Sequence, residues 1–181
     1  FWQFLAGRLK EHGNIVWALN EAKEEMAGTA FGEALEDIAR AVESGKENAP
    51  AFARYPDLFS AGVLVIILAA SHGDEYGEAA ERIAGGIEEG SLAAPGTGQE
   101  GDEMAAFWRA LGRMASCAVP LVEALQALSE DTINAGLADA LVGVRRHVLG
   151  GKALCDAMRD FPDFFPSEVR SGVMFGGVER D

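Results

Sequence analysis

A histidine and two acids lie close together in the first half of this sequence, at His72, Asp74 and Glu75. Imidazole and carboxylate groups gathered at a helix junction could form a weak metal site. The alternative is a solvated helix end, where acids favour the start of the next helix through its dipole. The second interpretation is the stronger one, so we predict no metal and no cofactor.

Other patterns that carry chemistry are missing from the sequence. It has no phosphate-binding loop, dinucleotide fingerprint, paired-cysteine zinc pattern or nucleophile elbow. The pair Gly85 and Gly86 interrupts a predicted helix, which indicates close packing rather than a phosphate site. Cys117 and Cys155 are predicted to be small buried thiols of a reduced, intracellular protein. The chain is therefore predicted not to be an enzyme.

The sequence repeats itself. Residues 107–181 align without a gap on residues 1–75 at an offset of 106, and 18 of the 75 aligned positions are identical. A fixed internal period indicates tandem copies of one structural unit. We therefore predict one unit over residues 1–89, a flexible linker and the start of the second unit over 90–106, and the second unit over 107–181.

Each unit has the pattern of short amphipathic helices and none of the alternation that predicts strands. The fold class is therefore all-α, with two tandem antiparallel helical bundles of about six helices in the first and five in the second. Gly45 and Gly151 follow the last periodic residue of a helix and predict left-handed C-caps. The uncharged run Leu58–Ser71 is too short to span a bilayer, which needs roughly 20 residues, and predicts a buried core helix.

Charge is distributed unevenly between the units. The formal net charge is −14, of which residues 1–91 carry −9 and residues 107–181 carry −2. Such acidity repels phosphate backbones, so nucleic acid is excluded as a partner and a basic or neutral protein surface is favoured.

Five residues are candidates for protein binding. A group of arginines could form a basic face that docks an acidic partner or the first unit, or it could be a solvated helix face; these are Arg109, Arg113, Arg145 and Arg146. Trp17 takes the place of Glu123 in the other unit, so it could be an exposed interface anchor. We also expect the units to pack on each other, or on a second chain, as a pseudo-dimer or a homodimer.

The landmarks of the second unit resemble those of a known family. Residues 107–125 and 150–166, with an aromatic start, a Val-Pro-Leu turn and a Pro-Asp-Phe-Phe-Pro corner, are similar to the cytoplasmic F domain of bacterial type II secretion and type IV pilus platform proteins. The first unit resembles the same domain in more divergent form. The acidic motif near which family members bind calcium is degraded at residues 70–74 and 176–180, so no calcium site is inferred.

The resemblance implies a non-catalytic platform or scaffold in a secretion or pilus-type assembly. Its partners would be proteins, including an assembly ATPase and other secretion or pilus components. Its location would be the cytoplasm or the cytoplasmic face of the inner membrane, with membrane contact only through segments that this chain lacks. The alternative is a soluble helical adaptor or regulatory protein derived from that family.

Overall fold

The structure, a computed structural model, describes residues 1–71, 75–92, 103–167, 170 and 173. Within these residues the chain is all-helical and contains no strand, as predicted. Six helices belong to the first half: α1 Trp2–His12, α2 Ile15–Glu25, α3 Ala30–Glu43, α4 Asn48–Phe52, α5 Ala61–Ala70 and α6 Tyr76–Glu88. The second half has α7 Glu103–Ser116, α8 Leu121–Asp131, α9 Ala135–Leu149 and α10 Leu154–Ala157, followed by a 3₁₀ turn over Met158–Asp160.

The helix boundaries recur at the interval found in the sequence. An interval of 106 residues separates the first residues of α2 and α8, and the same interval separates their last residues. The helices α3 and α9 end 106 residues apart, at Glu43 and Leu149. The two halves therefore place their second and third helices at matching points of the chain.

Both long third helices end in the same capping motif. Gly45 and Gly151 have φ of 83° and 88°, which confirms the predicted left-handed conformation. Gly45 donates its backbone N–H to the Val42 carbonyl and Lys46 donates to Ala41; Gly151 and Lys152 make the corresponding bonds in the second half. These crossed bonds are a Schellman motif, which satisfies carbonyls that the helix end leaves unpaired.

The helix α7 ends in the same motif without a glycine. Ala118 has φ of 56° and is the one non-glycine residue with positive φ in the described part of the chain. The Val119 and Ala118 N–H groups donate to the Met114 and Ala115 carbonyls. An alanine in this conformation carries the Cβ strain that glycine avoids.

An aromatic triad lies at the start of each half. The rings of Phe1 and Trp2 meet edge to face at 4.7 Å, and those of Phe107 and Trp108 at 4.8 Å. Each tryptophan then meets a phenylalanine after the proline corner: Trp2 lies 6.0 Å from Phe59 and Trp108 lies 6.2 Å from Phe165. The interplanar angles of these two contacts, 75° and 78°, are also alike.

The halves share one hydrophobic core. Buried side chains of both belong to a single cluster, and α5 contacts α7 and α8 as well as its own neighbours α4 and α6. Apolar all round, α5 buries Val63, Ile66 and Ile67, and its remaining side chains pack on the same cluster. The predicted buried core helix is confirmed, and α5 contacts two helices of the second half.

The segment predicted to hold the linker and the start of the second unit, residues 90–106, is described only at its two ends. Ser91 and Leu92 are fully or nearly buried, and α7 already begins at Glu103. Gly86 packs closely, as predicted, because an added Cβ would lie 2.7 Å from a methyl carbon of Leu92. Residues 93–102 lie outside the described part of the chain.

Candidate protein-binding surfaces

The junction between the halves is built around Asp131, the last residue of α8. Its carboxylate oxygens accept hydrogen bonds from the backbone N–H groups of Ala61 and Gly62 at 2.8 and 2.7 Å. These are the first two residues of α5, whose N–H groups have no partner within the helix. Burial raises the pKa of Asp131 above its ordinary value, although the bonds from Gly62 and Ala61 act in the opposite direction. One half therefore caps the central helix of the other.

Arg113 makes a second contact between the halves. From α7 it donates to the Arg82 carbonyl at 3.0 Å and to the Glu89 carboxylate at 2.5 Å, and its Nε lies 3.4 Å from Ser91 Oγ. Its side chain is only 17% exposed. Of the candidate arginines, Arg113 thus faces the first half, which was one of the two roles considered for the group.

The structure does not bring the four arginines together into one surface. Arg145 donates from Nε to the Val122 carbonyl at 3.2 Å, and this bond lies within the second half. Arg109 on α7 and Arg146 on α9 are exposed, and neither has an ion-pair partner among the described residues. Among the described residues, nothing pairs with these two arginines that would compete with a partner.

An exposed apolar stripe follows the outer face of α9. Val142 and Leu149 are 55% and 60% exposed, Arg146 lies between them on the same face, and Ile133 is 68% exposed at the turn before the helix. In the first half the positions of Val142 and Leu149 are taken by Glu36 and Glu43. We call Val142, Arg146 and Leu149 the α9 stripe.

The repeat explains why Arg146 has no ion-pair partner on its own helix. Its counterpart Arg40 bonds Glu36 at 3.0 Å and Asp37 at 2.9 Å on the same helix. The corresponding residues of the second half are Val142 and Gly143, which offer no acceptor. A comparison of the two units position by position could have found this stripe from sequence; a search for charged or aromatic residues alone missed it.

The α3 face of the first half and the α9 face of the second half also differ in a second pair of contacting residues. Tyr55 donates its hydroxyl to Asp37 at 2.8 Å. This bond is the largest of the effects that lower the pKa of Asp37, and desolvation is the largest of those that raise the pKa of Tyr55. In the second half Phe161 stands in the place of Tyr55 and lies against Gly143, where an added Cβ would come within 2.1 Å of the ring Cζ. A polar contact in one half is thus replaced by an apolar one in the other.

Trp17 lies on α2 and is partly buried. Its ring packs against the core on one side and lies 3.8 Å, centroid to centroid, from the His12 imidazole. The role of an interface anchor stays a prediction for this residue.

The weak metal candidates fall mainly outside the structure. His72 and Asp74 lie outside the described residues, whereas Glu75 precedes α6 and donates its N–H to the Ala70 carbonyl. No group of three or more potential ligands occurs among the described histidines, cysteines, aspartates and glutamates. Within the same residues, no helix has both the length and the apolar character that a membrane crossing requires.

The cysteines differ from the prediction of burial. Both are free and partly exposed. Cys117 lies in the turn after α7, where contact with its side chain is the main cause that raises the pKa of Arg82. From this turn, one residue beyond the last helical position, Cys117 packs on the core and stays partly exposed.

The second half of the chain is similar in sequence to known proteins. Residues 107–176 match the family model described as "Type II secretion system (T2SS), protein F". A curated relative, the "Type II secretion system protein F" of Pseudomonas aeruginosa, is 32% identical over 74 residues, which cover 41% of this chain and 18% of the relative. The match therefore spans less than a fifth of that relative's length. No solved structure shows a significant match.

Proposed function

We propose that this chain is a non-catalytic platform protein of a bacterial secretion or pilus-type assembly. The match of residues 107–176 to protein F of type II secretion is the observation that carries the proposal. The platform would hold other components in position on the cytoplasmic side of the inner membrane and would perform no reaction itself.

The proposal includes a second, divergent F-type domain in residues 1–89. Three features support it: the matching bounds of α2 and α8, the paired Schellman motifs, and the paired aromatic triads. These features are separate in the chain and depend on different residue types. An experimental structure in which the two halves fail to superpose at the 106-residue offset would contradict this part of the proposal.

The α9 stripe is the surface through which the platform would bind a protein component such as an assembly ATPase. Val142 and Leu149 expose apolar area beside Arg146, which pairs with no described residue, and an acidic partner with an apolar centre would cover both. The equivalent face of the first half carries Glu36 and Glu43 instead, and Arg40 is already paired with Glu36. The second half is therefore the binding half.

The test uses the source bacterium. Val142→Glu combined with Leu149→Glu gives the second half the residues of the first, and both positions are exposed, so the fold should be retained. We expect secretion or piliation to be lost, together with co-purification of the machine's ATPase or another of its components. Glu36→Gln combined with Glu43→Gln is the matched control on α3. The proposal is refuted if deletion of the whole gene leaves both processes intact.

A further inference from the structure

The exposed apolar side chains of the structure are gathered on one element. Among the described residues, the large hydrophobic side chains that are exposed are Ile133, Val142 and Leu149. Val142 and Leu149 lie on α9, and Ile133 lies in the turn that leads into this helix. Single exposed hydrophobics are ordinary, whereas a row of them with polar neighbours is typical of a surface that binds protein.

The exposure of this face does not depend on a sixth helix in the second half. In the first half α6 is present, and it packs on α1, α5 and α7. The four first-half positions that correspond to Asp139 and to the α9 stripe are all exposed; they are Glu33, Glu36, Arg40 and Glu43. A helix placed as α6 is placed would therefore leave the outer face of α9 uncovered.

Two charged side chains frame Val142 on this face. Asp139 lies three residues before Val142 and Arg146 lies four residues after it, so all three share one face of the helix. Asp139 and Arg146 are both exposed, and neither forms an ion pair with a described residue. They are about 10 Å apart along the helix axis, which is too far for a direct ion pair between them.

This order of charges is complementary to itself when two copies of the helix run antiparallel. The point midway between Asp139 and Arg146 falls within one residue of Val142. A twofold axis there would place Asp139 of each copy opposite Arg146 of the other and bring the two valines together. Leu149 of each copy would then lie over the first turn of the other helix, next to its Ile133. A parallel arrangement would instead bring like charges together.

The corresponding face of the first half does not offer the same pairing. Glu36 and Glu43 replace the two apolar residues of the stripe, and Arg40 is already paired with Glu36. A contact between α9 of one copy and α3 of another would bury glutamates against apolar side chains, which costs free energy. The stripe therefore fits a second α9 better than it fits α3.

We propose that α9 pairs antiparallel with α9 of a second copy of this chain, with Val142 at the twofold axis and an Asp139–Arg146 ion pair on each side. Symmetric pairing of one surface with itself is the commonest way in which identical chains associate. A single helix face is a small interface, so we expect a weak dimer with a Kd on the order of 100 µM.

The inference deepens the proposed function, because the second copy covers the same α9 stripe until another component of the assembly displaces it. It rests on the proposed function only for that displacement. The pairing follows from the charges and apolar residues of α9 alone, so it can fail while the secretion role holds.

Disulfide cross-linking tests the position of the axis. Val142→Cys is made in a chain that also carries Cys117→Ser and Cys155→Ser, which removes both natural thiols. Two cysteines that meet at the axis are close enough for a disulfide, so mild oxidation should give a covalent dimer as the main product. Glu36→Cys in the same background is the matched control, at the equivalent exposed position of α3. Equal cross-linking of the two variants would overturn the proposal.

A charge exchange tests the antiparallel register. The Kd of each full-length chain is measured by sedimentation equilibrium, at concentrations up to about ten times the expected Kd. Asp139→Arg or Arg146→Asp alone brings like charges together at two places, so we expect either change to raise the Kd about tenfold at low salt. The two single variants mixed should associate about as tightly as the wild type, because one then has two positive charges on this face and the other two negative ones.

The possible failures can be told apart. A wild-type chain that stays monomeric over this range, or a mixture that associates no better than the single variants, would refute the pairing. Neither result bears on whether deletion of the gene stops secretion or piliation, which is the test of the proposed function.

Discussion

The carboxylate of Asp131 lies directly over the first turn of α5, with its Oδ2 2.7 Å from the backbone nitrogen of Gly62. A Cβ at position 62 would approach the same oxygen to 2.8 Å and Met114 Cε to 3.0 Å. Glycine is therefore the residue that lets the carboxylate reach the helix end. The central helix of the first half depends on a side chain of the second.

Removal of this carboxylate should destabilise the protein. Asp131→Ala leaves the Ala61 and Gly62 N–H groups without an acceptor at a partly buried site, so we expect a loss of about 1–3 kcal/mol in the free energy of unfolding. Urea denaturation of both proteins measures it. The control is Glu25→Ala, at the equivalent position of α2, which is exposed and should change stability little. Equal losses from both variants would show that the cap contributes nothing.

The contribution of Asp131 should depend on pH in a defined direction. Because burial raises the pKa of the folded carboxyl above its unfolded value of 3.8, the folded state binds the proton more readily. Its contribution is then complete below the unfolded pKa and declines as pH rises through the folded pKa. The difference in unfolding free energy between wild type and Asp131→Ala should be larger at about pH 4.5 than at neutral pH. A difference that shrinks on acidification would contradict this sign.

The left-handed cap positions predict opposite effects of exchanging alanine and glycine. Ala118→Gly should stabilise the protein by about 0.5 kcal/mol, because relief of Cβ strain exceeds the entropy that glycine adds to the unfolded chain. Gly151→Ala should destabilise it by about 1 kcal/mol. The melting temperature of each variant, compared with that of the wild type, gives the sign of its change in stability. The capping account fails if the two melting temperatures shift in the same direction.

Gly143 should tolerate no side chain while Phe161 lies on it. Gly143→Ala forces the methyl group into the ring, and we expect a cost of about 1–3 kcal/mol despite the better helix propensity of alanine. When Gly143→Ala is made together with Phe161→Leu, most of this loss of stability should disappear. A double-mutant cycle measures the difference. Gly112→Ala, on an unobstructed face of α7, should be neutral or stabilising.

Arg113 should contribute more to stability than Arg109, four residues earlier on the same helix. Arg113→Ala removes charge-assisted bonds to Glu89 and to the Arg82 carbonyl, so we expect a loss of about 1–2 kcal/mol. Arg109→Ala should change little, because no described residue pairs with it. Denaturation in guanidinium chloride would mask the ionic part, so urea is the appropriate denaturant. Equal stabilities of the two variants would mean that the bonds from Arg113 to the first half do not stabilise the protein.

Local chemistry allowed much of the fold to be predicted. The helix class, the breaks at proline, and the φ of Gly45 and Gly151 follow from residues within one or two turns of each other. The burial of α5 followed from a run too apolar to face water and too short to cross a bilayer.

Features that depend on distant residues were not predicted. The sequence separation of Asp131 from Ala61 is 70 residues, and nothing near Asp131 indicates that its carboxylate is a helix cap. Arg113 and Arg145 could not be distinguished by type, although one bonds the first half and the other bonds its own half. The α9 stripe is visible only when each unit is read against the other, because Val142 and Leu149 are unremarkable helix residues taken alone.

The distance along the chain between α5 and its cap has a consequence for biosynthesis. A ribosome delivers Ala61 well before Asp131, so the most apolar helix of the protein leaves the exit tunnel while both its cap and its packing partner α8 are still unmade. Translation supplies about 5–20 residues per second, so this interval lasts on the order of several seconds. During that time α5 can pack only on its own neighbours α4 and α6, so the face that α8 covers in the finished protein is exposed to water in the nascent chain.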